Sequence, residues 1–182
     1  MRIIAGDARG RRFEAPTGID TRPTLDRVKE AIFGAVQFDV PDAIVLDLFS
    51  GSGNLGLEAL SRGARLAVLN DSSTSELIAN NVKALGFESR ARVLDFDYRK
   101  AIAYCAECGL SFDLAFIDAP YASGFGFDAV DRLFSSDVVA EHGIVILEHS
   151  SSDSFTGRQG CFAVYKTKRY GQCSVTMFKG EY

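Results

Sequence analysis

Two acidic residues, Asp47 and Asp118, each end a short apolar run, VLD and LAFID, and each is followed by residues that bend the chain. After Asp47 come Gly51, Gly53 and Gly56, in the stretch VLDLFSGSGNLG. A strand, tight glycine turn and helix start of this kind binds a nucleotide-like cofactor in the crevice beyond the strand ends of an open α/β sheet. The acid decides which cofactor is favoured. A carboxylate at the mouth of the turn repels a pyrophosphate and attracts a cation. S-adenosylmethionine carries a sulfonium and an α-ammonium and no phosphate, so Asp47 points to a methyl donor. Spacing leaves rivals open. Asp71 lies where a dinucleotide-binding fold, roughly 20 residues after its first glycine, places a ribose-binding acid. A glycine turn without any ligand is the third reading.

Asp118 leads into Ala119, Pro120 and Tyr121. An apolar strand there delivers the carboxylate to the carboxyl edge of the sheet, where ligands bind. The set suits an exocyclic amine: Asp118 and the Ala119 carbonyl accept its two hydrogens, Pro120 fixes the turn, and the Tyr121 ring stacks on the base. In isolation a strand-end Asp capping a turn explains Asp118 better; the upstream glycine turn tips the balance toward function.

The elements that must position these residues follow from periodicity. Arg2–Ala5 and Arg11–Ala15, joined through Gly6 to Gly10, read as a small N-terminal β-hairpin. Thr24 reads as the N-cap of a helix whose core face is Leu25, Val28, Ile32 and Val36. Strands and helices then alternate: Ile44–Phe49 and Leu55–Ser61, Leu66–Asn70 and Ser75–Leu85, Arg92–Leu94 and Arg99–Cys108, Leu114–Asp118 and Phe127–Phe134, then Ile144–His149. Runs such as LAVLN and IVILEH are apolar on both faces, as strands covered on both sides should be. Cys161–Thr167 and Cys173–Lys179 close the chain as a hairpin. The expectation is a single α/β domain over 1–182 with a doubly wound, mostly parallel seven-stranded sheet, a C-terminal antiparallel hairpin and a small N-terminal extension over 1–23.

At 182 residues and 47% hydrophobic, with a mean hydropathy of +0.04, the chain has the size and composition of one soluble domain. No apolar stretch is long enough to span a bilayer. The start, MRIIAGDARGRRF, lacks the apolar run of a secretory signal, and four unevenly placed cysteines argue against a disulfide framework, so the cytoplasm is expected. Cys105 and Cys108 have no matching second pair for a metal; they read as helical cysteines near the core. The net charge of −4 is uneven. Arg2, Arg9, Arg11 and Arg12 give the first twelve residues +3, and Arg158, Lys166, Lys168, Arg169 and Lys179 give the last stretch +4, around an acidic middle. Basic ends suit local contact with a polyanion, although chance clustering on a solvated surface explains them equally well. Glu148 and His149 read either as substrate-facing or as a satisfied strand-end pair. Arg22 and Arg27 read as phosphate contacts, as residues that order the cofactor loop, or as surface salt bridges.

Taken together the chain resembles the RsmD-like family, bacterial enzymes that methylate N2 of a guanine in 16S ribosomal RNA. The resemblance rests on MRIIAG and GRR at 1–6 and 10–12, TRPTLDRVKEAIF at 21–33, LDLFSGSGNLGLEALSRGA at 46–64, FDLAFIDAPY at 112–121, Glu148-His149, and RYGQCSVTMF at 169–178. It implies a Rossmann-like S-adenosylmethionine-dependent methyltransferase fold. By position, Asp47, Ser50, Gly51 and Gly53 would hold the methionine part of the cofactor. Asn70 and Asp71 would hold the ribose, and Phe96 and Asp97 the adenine. Asp118, Ala119, Pro120 and Tyr121 would form the target-base site without a metal, and Arg9, Arg11, Arg12, Arg22, Arg27, Lys168 and Arg169 would grip RNA of the small ribosomal subunit. Two positions depart from the pattern: Asn70 stands where relatives carry Glu, and Ala119 where the (Asp/Asn)-Pro-Pro-Tyr motif carries its first Pro. A monomer is expected. A catalytically weakened RNA-binding protein on this fold and a dinucleotide-dependent oxidoreductase are the alternatives.

Overall fold

The computed structural model describes residues 1–16, 23–120, 123–155, 158–159 and 161–180. Among these residues eight strands form one sheet: β1 (Ile44–Asp47), β2 (Leu66–Asn70), β3 (Ala91–Leu94), β4 (Phe112–Ile117), β5 (Val139–Ser150), β6 (Arg158–Gln159), β7 (Phe162–Tyr170) and β8 (Cys173–Gly180). Their order is β3-β2-β1-β4-β5-β8-β7-β6. The first five pair in parallel, and β8, β7 and β6 add antiparallel at one edge. The expected seven strands are present, and the eighth is the two-residue β6 on the outer edge. The strand order reverses between β1 and β4, which opens a crevice at their carboxyl ends.

Among the described residues five helices cover the sheet: α1 (Pro23–Ala35), α2 (Asn54–Ser61), α3 (Ser75–Leu85), α4 (Tyr98–Glu107) and α5 (Phe125–Ser135). Alternation along each strand splits the core into two layers. Val45, Leu69, Leu114, Phe116 and Ile146 pack under α1, α2 and α3. Leu46, Val68, Ala115, Ile117 and Val145 pack under α4 and α5. Continuing the count by twos puts Asp47, Asp118 and Glu148 on the α1–α2 side. Helix α1 starts at Pro23, the first-turn position that proline favours, so Thr24 lies inside the helix and is not its N-cap.

The N-terminal segment closes as a short hairpin: Arg2 and Arg12 form an antiparallel bridge, the Ile3 amide donates to the Arg11 carbonyl at 3.0 Å, and the Phe13 amide donates to the Met1 carbonyl at 3.1 Å. The body of the protein holds its turn. A Cβ at Gly6, where φ is +84°, would stand 1.8 Å from the Ser61 carbonyl oxygen, so the loop lies directly on the end of α2. The Ala8 amide donates to Ser61 Oγ, which itself donates to the Ala5 carbonyl. Glu58, fully buried in α2, accepts from the Ile4 and Ala5 amides at 2.8 and 3.0 Å. Lys29 of α1, also buried, reaches Glu58 at 3.2 Å, the Arg2 carbonyl at 2.8 Å and the Asn54 side-chain oxygen at 2.8 Å. This hub ties the N-terminal loop, α1 and α2 into one body.

Candidate active site

The cofactor turn is shaped by two of its glycines. At Gly56 an added Cβ would stand 2.1 Å from Leu69 Cδ2, so glycine lets the start of α2 press onto the sheet. That approach brings the Gly56 amide, one of the helix's unpaired first donors, to 2.8 Å from Asp47 Oδ2. At Gly51 φ is +55° and an added Cβ would meet nothing within 4 Å, which leaves open space where the turn borders the cleft. Gly53 plays a different part. It caps α2 with φ +87°, its amide donates to the Ser50 carbonyl, and Leu57 fills the space beside it. Gly53 shapes the turn and does not line the cleft.

The cleft itself is a cavity of about 440 Å³. It brings together Ser50, Gly51, Asn70, Asp71, Phe96, Asp97, Asp118 and Pro120, eight of the residues singled out from sequence. Asp47 lies just behind it, in a smaller cavity shared with Ser50, Asn54, Asp118 and Glu148. Ala119 is buried and Tyr121 lies outside the described residues. Sequence reasoning missed Asn54 and the aromatic wall formed by Phe49, Tyr98 and Phe125, whose neighbouring ring centres are 5.2 and 5.3 Å apart. Phe49 and Asn54 flank the glycine turn in sequence; Tyr98 and Phe125 open helices, a placement that alone gives no signal.

The acids differ in how they are held. Asp47 is sealed from water, and burial pushes its carboxyl up to about 6, a rise that Asp71 reinforces and the Gly56 amide opposes. The Ser50 hydroxyl is close enough to favour ionised Asp47, yet it is buried and lacks a partner in hydrogen-bonding geometry. Asp118 opens to the cleft but is crowded by protein on its other sides. That crowding raises its pKa first, and Glu148 and Asp47 raise it further. For Asp71 burial acts upward, but the Ser73, Gly51 and Thr74 donors outweigh it and hold the carboxyl below the usual range. Asp71 accepts from the Gly51 amide at 3.0 Å and so clasps the glycine turn to the end of β2.

Three expected contacts take on fold-building work. Asn70 donates to the Leu48 and Phe96 carbonyls at 3.1 and 3.0 Å and accepts from the Phe96 amide. Both its amide hydrogens and one lone pair of its oxygen join the ends of β1 and β3, so it holds the cleft's shape, and the second lone pair of that oxygen is the acceptor left for a ligand. Asp97, at the cleft rim, caps α4 by accepting from the Arg99 amide. Arg11 donates to the Leu85 carbonyl at 2.8 Å and to the Ala84 carbonyl, closing the C-terminus of α3. Arg9, Arg12, Arg27, Lys168 and Arg169 are exposed, and Arg22 lies outside the described residues. His149 is a satisfied core residue: its ring nitrogens meet the Ser150 carbonyl and Thr176 Oγ1, both at 2.8 Å. Cys105 is buried in α4 and Cys108 is exposed just beyond its end. Among the described residues no group of three or more His, Cys, Asp or Glu side chains could hold a metal, and no helix is long and apolar enough to cross a membrane.

The cleft fits S-adenosylmethionine on the structure's own terms. An orphaned buried hydroxyl at Ser50 awaits a polar partner, Gly51 leaves room for a ligand against the turn, and burial strains Asp47 in a way that a cation relieves. The aromatic wall offers apolar ring surface to a purine. Known proteins agree with this architecture. The family model described as conserved hypothetical protein 95 matches residues 1–179. Ribosomal RNA small subunit methyltransferase D of Escherichia coli K12 is 31% identical over 183 residues, covering 100% of this chain and 90% of its own. The solved structure of yhhF from Escherichia coli superposes with a TM-score of 0.86 at 27% identity, covering 100% of this chain and 98% of the other. The structure of SMU.776 complexed with SAH, at 16% identity and a TM-score of 0.66 over 86% of this chain and 49% of that one, shares the fold alone. The end-to-end match, on a sheet and glycine turn of the Rossmann-like methyltransferase type, places this chain in the RsmD-like family.

Proposed function

We propose that this chain transfers a methyl group from S-adenosylmethionine to the exocyclic N2 amine of a guanine in small-subunit ribosomal RNA. The observation that carries this reading is that Asp118 and Pro120 share one cavity with Ser50 and Gly51, so the amine site and the cofactor turn open onto the same space. The name and full-length similarity of the Escherichia coli relative support the RNA substrate. The reaction takes place in the cytoplasm, with the chain acting as a monomer.

The cofactor supplies an electrophilic methyl on a sulfonium. The guanine amine is a weak nucleophile because its lone pair is delocalised into the ring, so the protein's task is placement. Asp118 and the Ala119 carbonyl accept the two amine hydrogens and turn the nitrogen toward the methyl. Pro120 stiffens the loop that carries them, and Tyr121 stacks on the base. As the N–C bond forms and the S–C bond breaks, the amine must lose a proton. Asp118 is suited to take it, because an acid raised toward working pH is an effective base once ionised. Asp47 stabilises the positively charged cofactor from behind. A paired base cannot reach such a cleft, so the target guanine is unpaired or flipped out.

Labelled methyl transfer to small ribosomal subunits lacking the modification tests this reading. Asp118→Ala should lower incorporation by roughly 10²–10⁴-fold, the usual contribution of a positioned proton acceptor. Unchanged incorporation in that variant removes the proposed role of Asp118.

A further inference from the structure

On the proposal that the substrate is RNA, we infer that a groove between α1 and the β7–β8 hairpin receives nucleotides flanking the target guanine. The groove encloses about 310 Å³. Its floor is apolar, with Ile32, Val175 and Met177, and one wall presents Lys166, Lys168 and Tyr170. Both lysines are exposed, no acidic residue lines the groove among the described residues, and Lys168 Nζ lies 5.5 Å from the centre of the Tyr170 ring. An aromatic ring beside lysine ammonium groups over an apolar floor is the chemistry of a single-stranded nucleic acid subsite: the base stacks while the lysines meet the phosphates. In a chain of net charge −4 this local concentration of positive charge selects a polyanion.

Position ties the groove to the active site. Ile117 pairs with Leu147, Glu148 with Val175, and Val175 with Lys168. Asp118, Glu148, Val175 and Lys168 therefore lie on one line across the sheet. They face the same side, and the line spans three strand spacings, roughly 14 Å in all. A few nucleotides of extended strand cover that distance. Ile32 lines both this groove and the acidic cavity at Asp118, so the two share a wall.

Gly34 supplies an independent observation. It sits in the last turn of α1 without a positive φ, where glycine weakens a helix relative to alanine. A Cβ there would meet nothing within 4 Å, so neither backbone conformation nor internal packing calls for glycine. It keeps the groove wall low.

Two variants test the groove by different means: Gly34→Leu fills it, and Lys166→Glu with Lys168→Glu reverses its charge. Both changes lie on exposed positions, and the first adds a good helix former. Methyl incorporation into unmodified small subunits is measured with S-adenosylmethionine affinity alongside. In each variant KM for the subunit should rise roughly tenfold or more, with cofactor affinity unchanged and kcat largely kept. The lysine variant should also show a shallower dependence of KM on salt, because fewer counterions are released. A wild-type KM in either variant, with the parent active, overturns the groove and leaves the methyltransferase reading standing. A parent that binds cofactor but never methylates the subunit overturns that reading, and the groove with it.

Discussion

Glu58 and Asp47 are both sealed from water on the same side of the sheet, and the protein treats them in opposite ways. Glu58 meets Lys29 at 3.2 Å, Arg62 at 2.8 Å and two backbone amides of the N-terminal loop. Asp47 has the Gly56 amide at 2.8 Å, the Leu55 amide nearby, an unpartnered hydroxyl beside it and, among the described residues, no salt bridge. Its neighbours Asp71 and Asp118 are acids too and offer it no counter-charge. A buried carboxylate surrounded by donors fastens structure. One left under-compensated in a cleft is waiting for a positive ligand. The difference separates the acid that builds the body from the acid that binds.

Glu58→Gln should break this contrast most visibly. It leaves Lys29 buried without its counter-charge, which costs about 3–5 kcal/mol of stability. Urea unfolding measures the loss; a change below about 1 kcal/mol would mean the ion pair does not anchor the N-terminal loop.

Asp47→Asn should do the reverse. The amide oxygen still accepts from Gly56, and the strained charge is gone, so thermal stability holds or rises. Binding of S-adenosylmethionine should weaken by roughly 10–100-fold, the scale of a lost charged hydrogen bond. A calorimetric titration beside a thermal melt reads both. Equal losses of stability and affinity would put Asp47 in the same class as Glu58.

Acidity sharpens the comparison with a smaller effect. The folded pKa of Asp47 lies at about 6, above its ordinary value of 3.8. Its neutral form is thus the one that favours folding: that contribution is fully present below the ordinary value and is lost as pH rises through about 6. Asp118 is shifted in the same direction, whereas the lowered Asp71 and Asp128 contribute above the ordinary value and lose stability only in stronger acid. Between pH about 7 and about 4.5 the cofactor-free protein should therefore melt higher on acidification, while cofactor affinity falls because the cation needs ionised Asp47. Asp47→Asn should flatten much of both trends. A melting temperature that falls steadily across this interval in the parent would contradict the shift.

Much of the framework was readable from the chain. β2 and α3 fall at the residues their periodicity predicts, and the two acids sit on strand ends that the sheet does bring together. Elsewhere long-range pairing overrode local pattern. β5 starts at Val139, five residues before the apolar run at Ile144, because parallel pairing with β4 begins at Phe112 with Val139 and resumes after an irregularity. The N-terminal segment looked like a hairpin because it alternates around Gly6 and Gly10. It does pair across Ile3 and Arg11, but the Ile4, Ala5 and Ala8 amides found Glu58 and Ser61, more than fifty residues away, which periodicity could not show. The fold-building bonds of Asn70 and Arg11 were hidden because residue type shows what a group can donate or accept, not which partner reaches it first.

The chain by itself determined the order of elements, the glycine turn and the acids that close two strands, since these depend on side-chain period and on conformations open to neighbouring residues. The tertiary structure alone decided which acids are compensated. The Lys29–Glu58 pair, the donors gathered on Asp71 and the crowding of Asp118 arise where helices and strands distant in sequence pack together, and burial then sets how much each charge costs.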